Sequence, residues 1–353
     1  MTRRKILALA GAGVLAPALH GASEPQNFSI ALSKVEGFVT ASDLFFVRDH
    51  FAEPSVSIED WELRIDGLVK RPYSLNFSDL LEHPTKKVEA LLECSGNAPS
   101  GAAVSNGVWE GVPLSFLLTP AQLDSQSAFV LLEGADQGIL REGATAAHYS
   151  QLVPISKCLD ANSLLAFKLN GVFLPMRNGF PARALFPGWY AMNSVKWVRR
   201  MTVLPAGDRE NGFYRSGMDG LYNRHIETGS TSKVERLTEL QVKSVIAWPG
   251  GSAKLPAGRH KVWGFAWSGG STIARVEISF DGGKSWDVAR LERSPAALTW
   301  VRWSYDWKAS PAPYTLLCRA TDSKGNRQPA RRDETRKDGY ELNWCEPTRC
   351  TVF

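Results

Sequence analysis

Few side chains in this sequence could build a metal centre by themselves. The 353 residues include only six histidines and five cysteines, and no two cysteines stand in a C-x-x-C spacing. That absence argues against a zinc ribbon, a thioredoxin-type redox motif and covalently attached c-type haem, so we expect no haem in this chain. The cysteines are Cys94, Cys158, Cys318, Cys345 and Cys350. Cys345 and Cys350 could pair with each other, but the sequence does not fix that connectivity.

Two further absences restrict the partners of the protein. After the first 22 residues no apolar run reaches the length of a membrane span, so we expect none. The formal net charge of +5 falls to +2 without Arg3, Arg4 and Lys5 near the start. Neither a basic face nor a nucleic-acid-binding motif is found in the remaining chain, so nucleic acid is not an expected partner.

The start of the chain is typical of an export signal. The stretch "TRRKILALAGAGVLAPAL" combines a charged beginning, an apolar run of about 14 residues and small residues at its end. The pair Arg3-Arg4 favours the twin-arginine type over an ordinary secretory signal. We predict a signal peptide over residues 1–22 and a periplasmic location. Because five cysteines cannot all pair, one thiol is expected to stay free or to serve as a ligand.

Apolar patterning divides the remaining chain into two folded parts. Between residues 40 and 205, alternating strands such as "WELRIDGLV" are interleaved with short helical stretches such as "LNFSDLLEH", which predicts a mixed α+β domain. Residues 206–238 are polar and weakly periodic, as in a long connection. Residues 239–353 hold short alternating strands separated by turns, which predicts an all-β sandwich of immunoglobulin type.

One motif combines a buried strand with a single thiol. In "VEALLECSGNAPSG", residues 88–101, an apolar run leads to Cys94 and then to small, turn-forming residues. Cys94 could be a buried structural thiol, a nucleophile or one ligand of a zinc site, but neither a protease signature nor further zinc ligands surround it. A fourth interpretation fits better: Cys94 is the single protein ligand of a metal whose other ligands come from an organic cofactor.

Several long blocks of the sequence resemble one enzyme family. "ECSGN", "VWEGVPLSFLL", "LNGVFLPMRNGFPARALFPGWYAMNSVKWVRRMTV" and "FFVRDH" are similar to the sulfite oxidase family of molybdenum enzymes, and "GFAWSGGSTIARVEISFDGGKSW" is similar to its C-terminal dimerisation domain. Within the family, these blocks most resemble the bacterial branch of periplasmic sulfite dehydrogenases and sulfane dehydrogenase catalytic subunits. The resemblance implies one molybdenum-molybdopterin cofactor per chain and a homodimer.

The resemblance also implies roles for individual residues. Cys94 corresponds to the metal ligand and Arg48 to the arginine beside the substrate anion, where a fixed guanidinium fork suits an oxyanion. Tyr222, with Tyr214 as the alternative, is the candidate for the catalytic tyrosine. The implied cofactor-binding residues are Phe46, Val47, Arg48, Asp49, His50, Asp136, Asn178, Arg183, Ser194 and Lys196.

Departures from the family pattern affect the substrate pocket. Asp49 replaces the usual asparagine, and an ionised carboxylate cannot donate a hydrogen bond. Ala98 and Pro99 stand where animal and plant enzymes carry arginines after the cysteine motif. Near the position of a further arginine from the C-terminal domain lies Asp338, with Arg336 close by. Fewer cations predict weaker sulfite binding, or a larger and less charged substrate.

The expected activity follows from the family. The enzyme would oxidise sulfite to sulfate by oxygen-atom transfer and pass electrons singly to a separate c-type cytochrome. The alternatives are a sulfane-sulfur dehydrogenase or a sulfoxide reductase on the same scaffold, and a metal-free binding protein.

Overall fold

The protein is described here by a computed structural model that covers residues 24–140, 145–209, 221–292 and 296–353. The predicted signal peptide and Tyr214 lie outside these residues. Within them, no helix has both the length and the apolar character required to cross a membrane.

Two five-stranded sheets build the N-terminal part. Both are mostly antiparallel, and Val198–Pro205 pairs in parallel with Glu62–Gly67. In the first sheet the strands lie in the order Tyr73–Asn76, Glu62–Gly67, Val198–Pro205, Ser127–Gly138 and Ala147–Pro154. In the second the order is Val172–Phe173, Leu164–Leu169, Val104–Pro113 and Lys86–Glu93, with Arg183–Leu185 also paired to Leu164–Leu169.

The C-terminal part contains a four-stranded and a five-stranded sheet, as expected for a β-sandwich. The four-stranded sheet has the order Lys243–Trp248, Gly258–Trp267, Val301–Ala309 and Arg290–Leu291. The five-stranded sheet has the order Ala253–Leu255, Thr348–Val352, Ala312–Asp322, Ile273–Ser279 and Asp287–Val288. The short strands predicted from the alternation after residue 239 are present in these sheets; their immunoglobulin-type arrangement stays a prediction.

Strands dominate the N-terminal part more than the predicted α+β class suggests. In the described residues its α-helices are short and comprise Phe77–Glu82, Leu114–Ala121 and Ile155–Cys158. Short 3-10 helices cover Leu32–Lys34, Met176–Asn178, Ala191–Asn193 and Ala206–Arg209. The helix at Phe77 begins with a capping box, in which Asn76 and Asp79 each accept a hydrogen bond from the other's backbone N–H.

The predicted connection over residues 206–238 contains structure that its weak periodicity did not indicate. Strands Asn223–Thr228 and Thr231–Arg236 form an antiparallel hairpin. Its side chains are mostly exposed or half-buried, so the hairpin lacks the alternating apolar pattern by which strands are recognised. Another two-stranded pairing joins Asn27–Phe28 to Val47–Arg48.

An apolar cluster packs the two parts of the chain together. Leu91, Val104 and Tyr190 from the N-terminal part contact a group of buried C-terminal side chains that includes Phe265 and Trp300. The Leu91 N–H also donates to the Leu298 carbonyl at 2.8 Å. The strand that leads to Cys94 therefore lies directly against the C-terminal sandwich.

All five cysteines are free thiols in this structure, including Cys345 and Cys350. Cys94 differs from the other four because its side chain is only partly buried.

Candidate active site

The candidate metal ligand stands at the end of a buried strand, as its motif predicted. Strand Lys86–Glu93 ends one residue before Cys94. The Cys94 N–H donates to Ala103 O at 2.9 Å, and Cys94 O accepts from the Asn97 N–H at 3.0 Å. A side chain at Gly101 would place its Cβ 2.3 Å from Asn97 Oδ1, so the tight turn requires glycine there. The turn thus presents the thiol from a well-supported backbone.

Arg48 lies beside this thiol. It belongs to the short strand Val47–Arg48, and its Nη1 donates to Asn27 Oδ1 at 2.7 Å. Burial raises the pKa of the Cys94 thiol, while the Gly96 N–H and the Arg48 guanidinium act in the opposite direction. A bound metal cation would supply the further stabilisation that a thiolate needs here.

Cys94 opens into a cavity of about 650 Å³, a volume that includes its solvent-exposed mouth. Of the predicted site residues, only Asn178 and the undescribed Tyr214 are not among its lining residues. Asn178 lies behind the wall, where its carbonyl accepts from Arg183 Nη1 at 3.3 Å. The lining residues are Phe46, Val47, Arg48, Asp49, His50, Cys94, Ser95, Asp136, Tyr149, Arg177, Arg183, Ala191, Met192, Ser194, Lys196 and Tyr222.

Arg183 supplies a buried positive charge to this cavity. Its guanidinium donates to the carbonyls of Ser194 at 3.1 Å and Asn178 at 3.3 Å, but it forms no ion pair with a carboxylate among the described residues. Burial lowers the pKa of Arg183 to about 10. A buried cation without a countercharge costs free energy, and a bound phosphate would provide that countercharge.

Lys196 and Asp49 form a buried ion pair in the wall of the cavity, and the Asp49 side chain is fully shielded from solvent. The other Asp49 oxygen accepts from the Gln26 N–H at 3.0 Å. Burial lowers the pKa of Lys196, while Asp49 opposes this effect. Asp49 therefore acts as an acceptor that holds Lys196, in keeping with the replacement of the family's asparagine.

Asp136 presents an unused hydrogen-bond acceptor to the cavity. Its Oδ1 is buried and has no hydrogen-bond partner among the described residues. Burial raises the pKa of Asp136 to about 7, with Lys196 acting in the opposite direction. A Cβ at Gly134 would lie 2.5 Å from this oxygen, so glycine keeps the space around it open. An acceptor of this kind fits the N–H groups of a pterin.

Tyr222 lies on the side of the cavity formed by the connecting segment. Its hydroxyl is 3.3 Å from His50 Nδ1, and its ring centroid is 5.7 Å from that of Tyr340. Burial raises the pKa of Tyr222 and lowers the pKa of His50, so both groups are uncharged near neutral pH. The tyrosine hydroxyl can therefore donate a hydrogen bond into the cavity.

Two arginines near the Cys94 turn, one from the hairpin and one from the C-terminal segment, are already paired with carboxylates. Arg336 donates to Asp338 Oδ1 at 2.7 Å and to Glu341 Oε2 at 2.9 Å. Arg224 donates to Glu341 Oε1 at 2.7 Å. The Glu341 N–H donates to Ser95 O at 2.8 Å, which places this network next to the Cys94 turn. Arg336 is thus present near the expected position, but it is held by carboxylates.

Sequence reasoning missed several residues of the site. Tyr149 is buried in the cavity wall, and its hydroxyl donates to Met192 O at 2.8 Å. It stands in an ordinary strand without a motif, so no local signal marked it. Arg177 lies inside the quoted "MRNGF" block, and that position could have been noted as a further cation.

Comparisons with known proteins agree with this geometry. Residues 50–213 match the oxidoreductase molybdopterin binding domain, and residues 234–337 match the Mo-co oxidoreductase dimerisation domain. Chicken (Gallus gallus) sulfite oxidase is 32% identical over 83% of this chain and 69% of its own length. The chain belongs to the sulfite oxidase family. It is a molybdopterin-dependent oxidoreductase, and its cofactor is molybdenum held by molybdopterin.

Other relatives define how far this similarity extends. The human (Homo sapiens) mitochondrial sulfite oxidase is 29% identical over 83% of this chain, and the match covers 58% of the human enzyme. The chain thus spans little more than half of that relative. The crystal structure of the sulfane dehydrogenase SoxCD from Paracoccus pantotrophus has a TM-score of 0.81 and 27% identity, with 99% of this chain and 90% of that chain covered.

The residues present fit this cofactor. Within the described part of the chain, no three His, Cys, Asp or Glu side chains come together to hold a metal ion, so a metal here needs ligands from another source. The unpaired Arg183 suits the terminal phosphate, and the free Asp136 oxygen suits the pterin ring.

Proposed function

We propose that this member of the family oxidises sulfite to sulfate with water as the oxygen source. The balanced reaction converts sulfite and water to sulfate, two protons and two electrons. The observation that carries the proposal is a single cavity lined by the Cys94 thiol, the Arg48 guanidinium and Arg183, which forms no ion pair with a carboxylate among the described residues. Bound molybdenum-molybdopterin supplies oxygen-atom transfer and accepts the two electrons.

The protein residues bind and orient the reactants. Cys94 is proposed as the one protein ligand of the metal. Arg48 binds the sulfite oxygens, because a guanidinium presents a planar fork of N–H donors and that of Arg48 lies beside Cys94. Tyr222 donates a hydrogen bond into the cavity, and His50 Nδ1, 3.3 Å from the tyrosine hydroxyl, orients it.

A second candidate activity is supported by the charge balance of the groups next to the Cys94 turn. Arg336 and Arg224 are held by Asp338 and Glu341, so they do not add free positive charge near Cys94. A sulfur compound with less charge than sulfite would fit a site with fewer unpaired cations near Cys94. Oxidation of a sulfane sulfur, or reduction of a sulfoxide, is therefore the alternative on this scaffold.

We further propose that the enzyme is exported to the periplasm by the twin-arginine route and passes its electrons singly to a c-type cytochrome. The basis for export is the Arg3-Arg4 signal sequence. The matched dimerisation domain supports a homodimer. A metal-free binding protein is disfavoured, because Cys94, Arg183 and Lys196 all remain in one cavity.

A substrate panel tests this proposal. Purified cofactor-loaded enzyme is assayed for ferricyanide reduction with sulfite, thiosulfate and an organic persulfide, and for oxidation of a reduced dye with a sulfoxide. The proposal expects saturable turnover with sulfite at a higher kcat/KM than with any other compound. Turnover with a persulfide or sulfoxide alone would replace it by the alternative.

A further inference from the structure

A buried lysine from the C-terminal part reaches the backbone that carries Cys94. Lys243 is the first residue of strand Lys243–Trp248 and is 1% exposed. Its Nζ lies 2.9 Å from Oε1 of Glu93, the residue before Cys94, although the two residues are 150 positions apart in the sequence. Glu93 is itself only 2% exposed.

The ammonium of Lys243 makes more contacts than neutralisation of Glu93 requires. Lys243 Nζ also donates to Ala98 O at 2.8 Å and to Asn97 O at 3.3 Å. An ammonium has three N–H donors, so all three are used, and two of them hold the turn that follows Cys94. The contacts therefore fix the chain on both sides of the thiol.

Glu93 is held from the same side by a second residue. Trp267 Nε1 donates to Glu93 Oε2 at 2.8 Å, and Trp267 pairs directly with Lys243 across two adjacent strands. Asn97 Nδ2 donates to Glu93 Oε1 at 3.0 Å. The Glu93 carboxylate and the turn after Cys94 are thus both bound by the paired strands that carry Lys243 and Trp267. These strands belong to the sandwich, so the sandwich holds the Cys94 backbone in place.

We propose that Lys243 is a positioning residue that sets the location of the Cys94 sulfur in the cavity. A buried ion pair is a weak source of stability, because desolvation offsets much of its attraction. The same ion pair can fix the position of a metal ligand when the ammonium also donates to backbone carbonyls next to that ligand, as Lys243 does at Asn97 and Ala98. This inference rests on the proposed role of Cys94 as the metal ligand, and it makes the C-terminal part a component of the active site.

The first test compares Lys243→Met with a matched control in cofactor-loaded enzyme. The control is Arg319→Met, which breaks a 2.9 Å contact to Glu277 within the sandwich. For each variant the metal content, the melting temperature, kcat and the visible charge-transfer absorption of the metal-bound thiolate are measured. We expect Lys243→Met to shift or weaken the absorption band and to lower kcat by about 100-fold, since small displacements at a reacting centre have effects of this size. Arg319→Met should lower the melting temperature and leave the band unchanged.

A double variant separates positioning from charge neutralisation. Glu93→Gln combined with Lys243→Met removes the buried carboxylate together with its countercharge, so the melting temperature should recover relative to Lys243→Met alone. The carbonyls of Asn97 and Ala98 still lack their donor, so we expect the band and kcat to remain altered. Recovery of the band together with the melting temperature would overturn the proposal, because Lys243 would then serve only to neutralise Glu93.

Cys94→Ser distinguishes failure of this inference from failure of the proposed function. If Cys94→Ser keeps the charge-transfer band, Cys94 is not the metal ligand, and the positioning role proposed for Lys243 is refuted as well. If Cys94→Ser loses the band while Lys243→Met keeps it unchanged, only the positioning role is refuted.

Discussion

Replacement of Arg48 by methionine tests the proposed substrate pocket most sharply. The Arg48 guanidinium lies beside Cys94, and its Nη1 donates to Asn27 Oδ1 at 2.7 Å. One Nη1 donor is engaged in that contact, so further N–H groups of the fork can meet the oxygens of an anion. Methionine keeps much of the side-chain length and removes the charge and these donors.

The expected magnitude follows from charge and exposure. Unit charges about 4 Å apart at an effective dielectric constant near 20 attract by about 4 kcal/mol. Arg48 is partly open to solvent, so the measured loss should be closer to the roughly 1.5–3 kcal/mol of a charged hydrogen bond. That loss lowers kcat/KM for sulfite by roughly 10- to 150-fold. Ferricyanide reduction at constant ionic strength measures it.

Two controls make the result specific. Arg64→Met removes an exposed arginine on the distant strand Glu62–Gly67 and should leave kcat/KM unchanged. A neutral sulfoxide, if it is turned over, should lose far less than sulfite with Arg48→Met. Equal losses for the neutral and the anionic substrate, or no loss for sulfite, would refute the assignment of Arg48.

Three further predictions follow from the structure. In the protein without cofactor, folded Asp136 keeps a proton that the unfolded chain releases near pH 4, so the free energy of unfolding should fall by at most about 4 kcal/mol between pH 3.8 and about 7. Asp136→Asn should abolish this pH dependence of stability, as measured by thermal unfolding. An unchanged pH dependence in the variant would contradict the assignment of Asp136 as a buried acid. Tyr222→Phe should lower kcat/KM for sulfite by about 10-fold, which corresponds to the free energy of one hydrogen bond, and should leave the metal content unchanged. Unaltered turnover would show that Tyr222 takes no part in the reaction. Gly264→Ala should cost at least about 2 kcal/mol in denaturant unfolding, because its Cβ would lie 1.9 Å from Val245 O, whereas Gly251→Ala, which meets nothing within 4 Å, should be neutral.

The sequence predicted those parts of the fold and of the site that lie in continuous motifs. The strand that ends at Cys94 and the helix capped at Asn76 both depend on neighbouring residues, so local patterns indicated them. The placement of Arg48, Asp136, Arg183 and Lys196 came from the family resemblance, and the structure brings these four side chains to one cavity.

Contacts between distant parts of the chain could not be predicted. Tyr149 reaches the cavity from a strand without any motif, and Lys243 meets Glu93 only because the sandwich packs against the Cys94 strand. The balance of Arg336 by Glu341 likewise depends on tertiary geometry. Hydrophobic periodicity reports which face of an element is buried, and it carries no information on which distant polar group that element meets.

The central claim is that Cys94 holds a molybdenum cofactor that oxidises sulfite. The most direct test measures molybdenum content and sulfite-dependent ferricyanide reduction in the same samples of wild-type enzyme and Cys94→Ser. The account predicts about one metal per chain with saturable turnover in the wild type, and loss of turnover in Cys94→Ser. Wild-type protein that carries a full metal load without oxidising sulfite, or a Cys94→Ser variant with unchanged turnover, would contradict it.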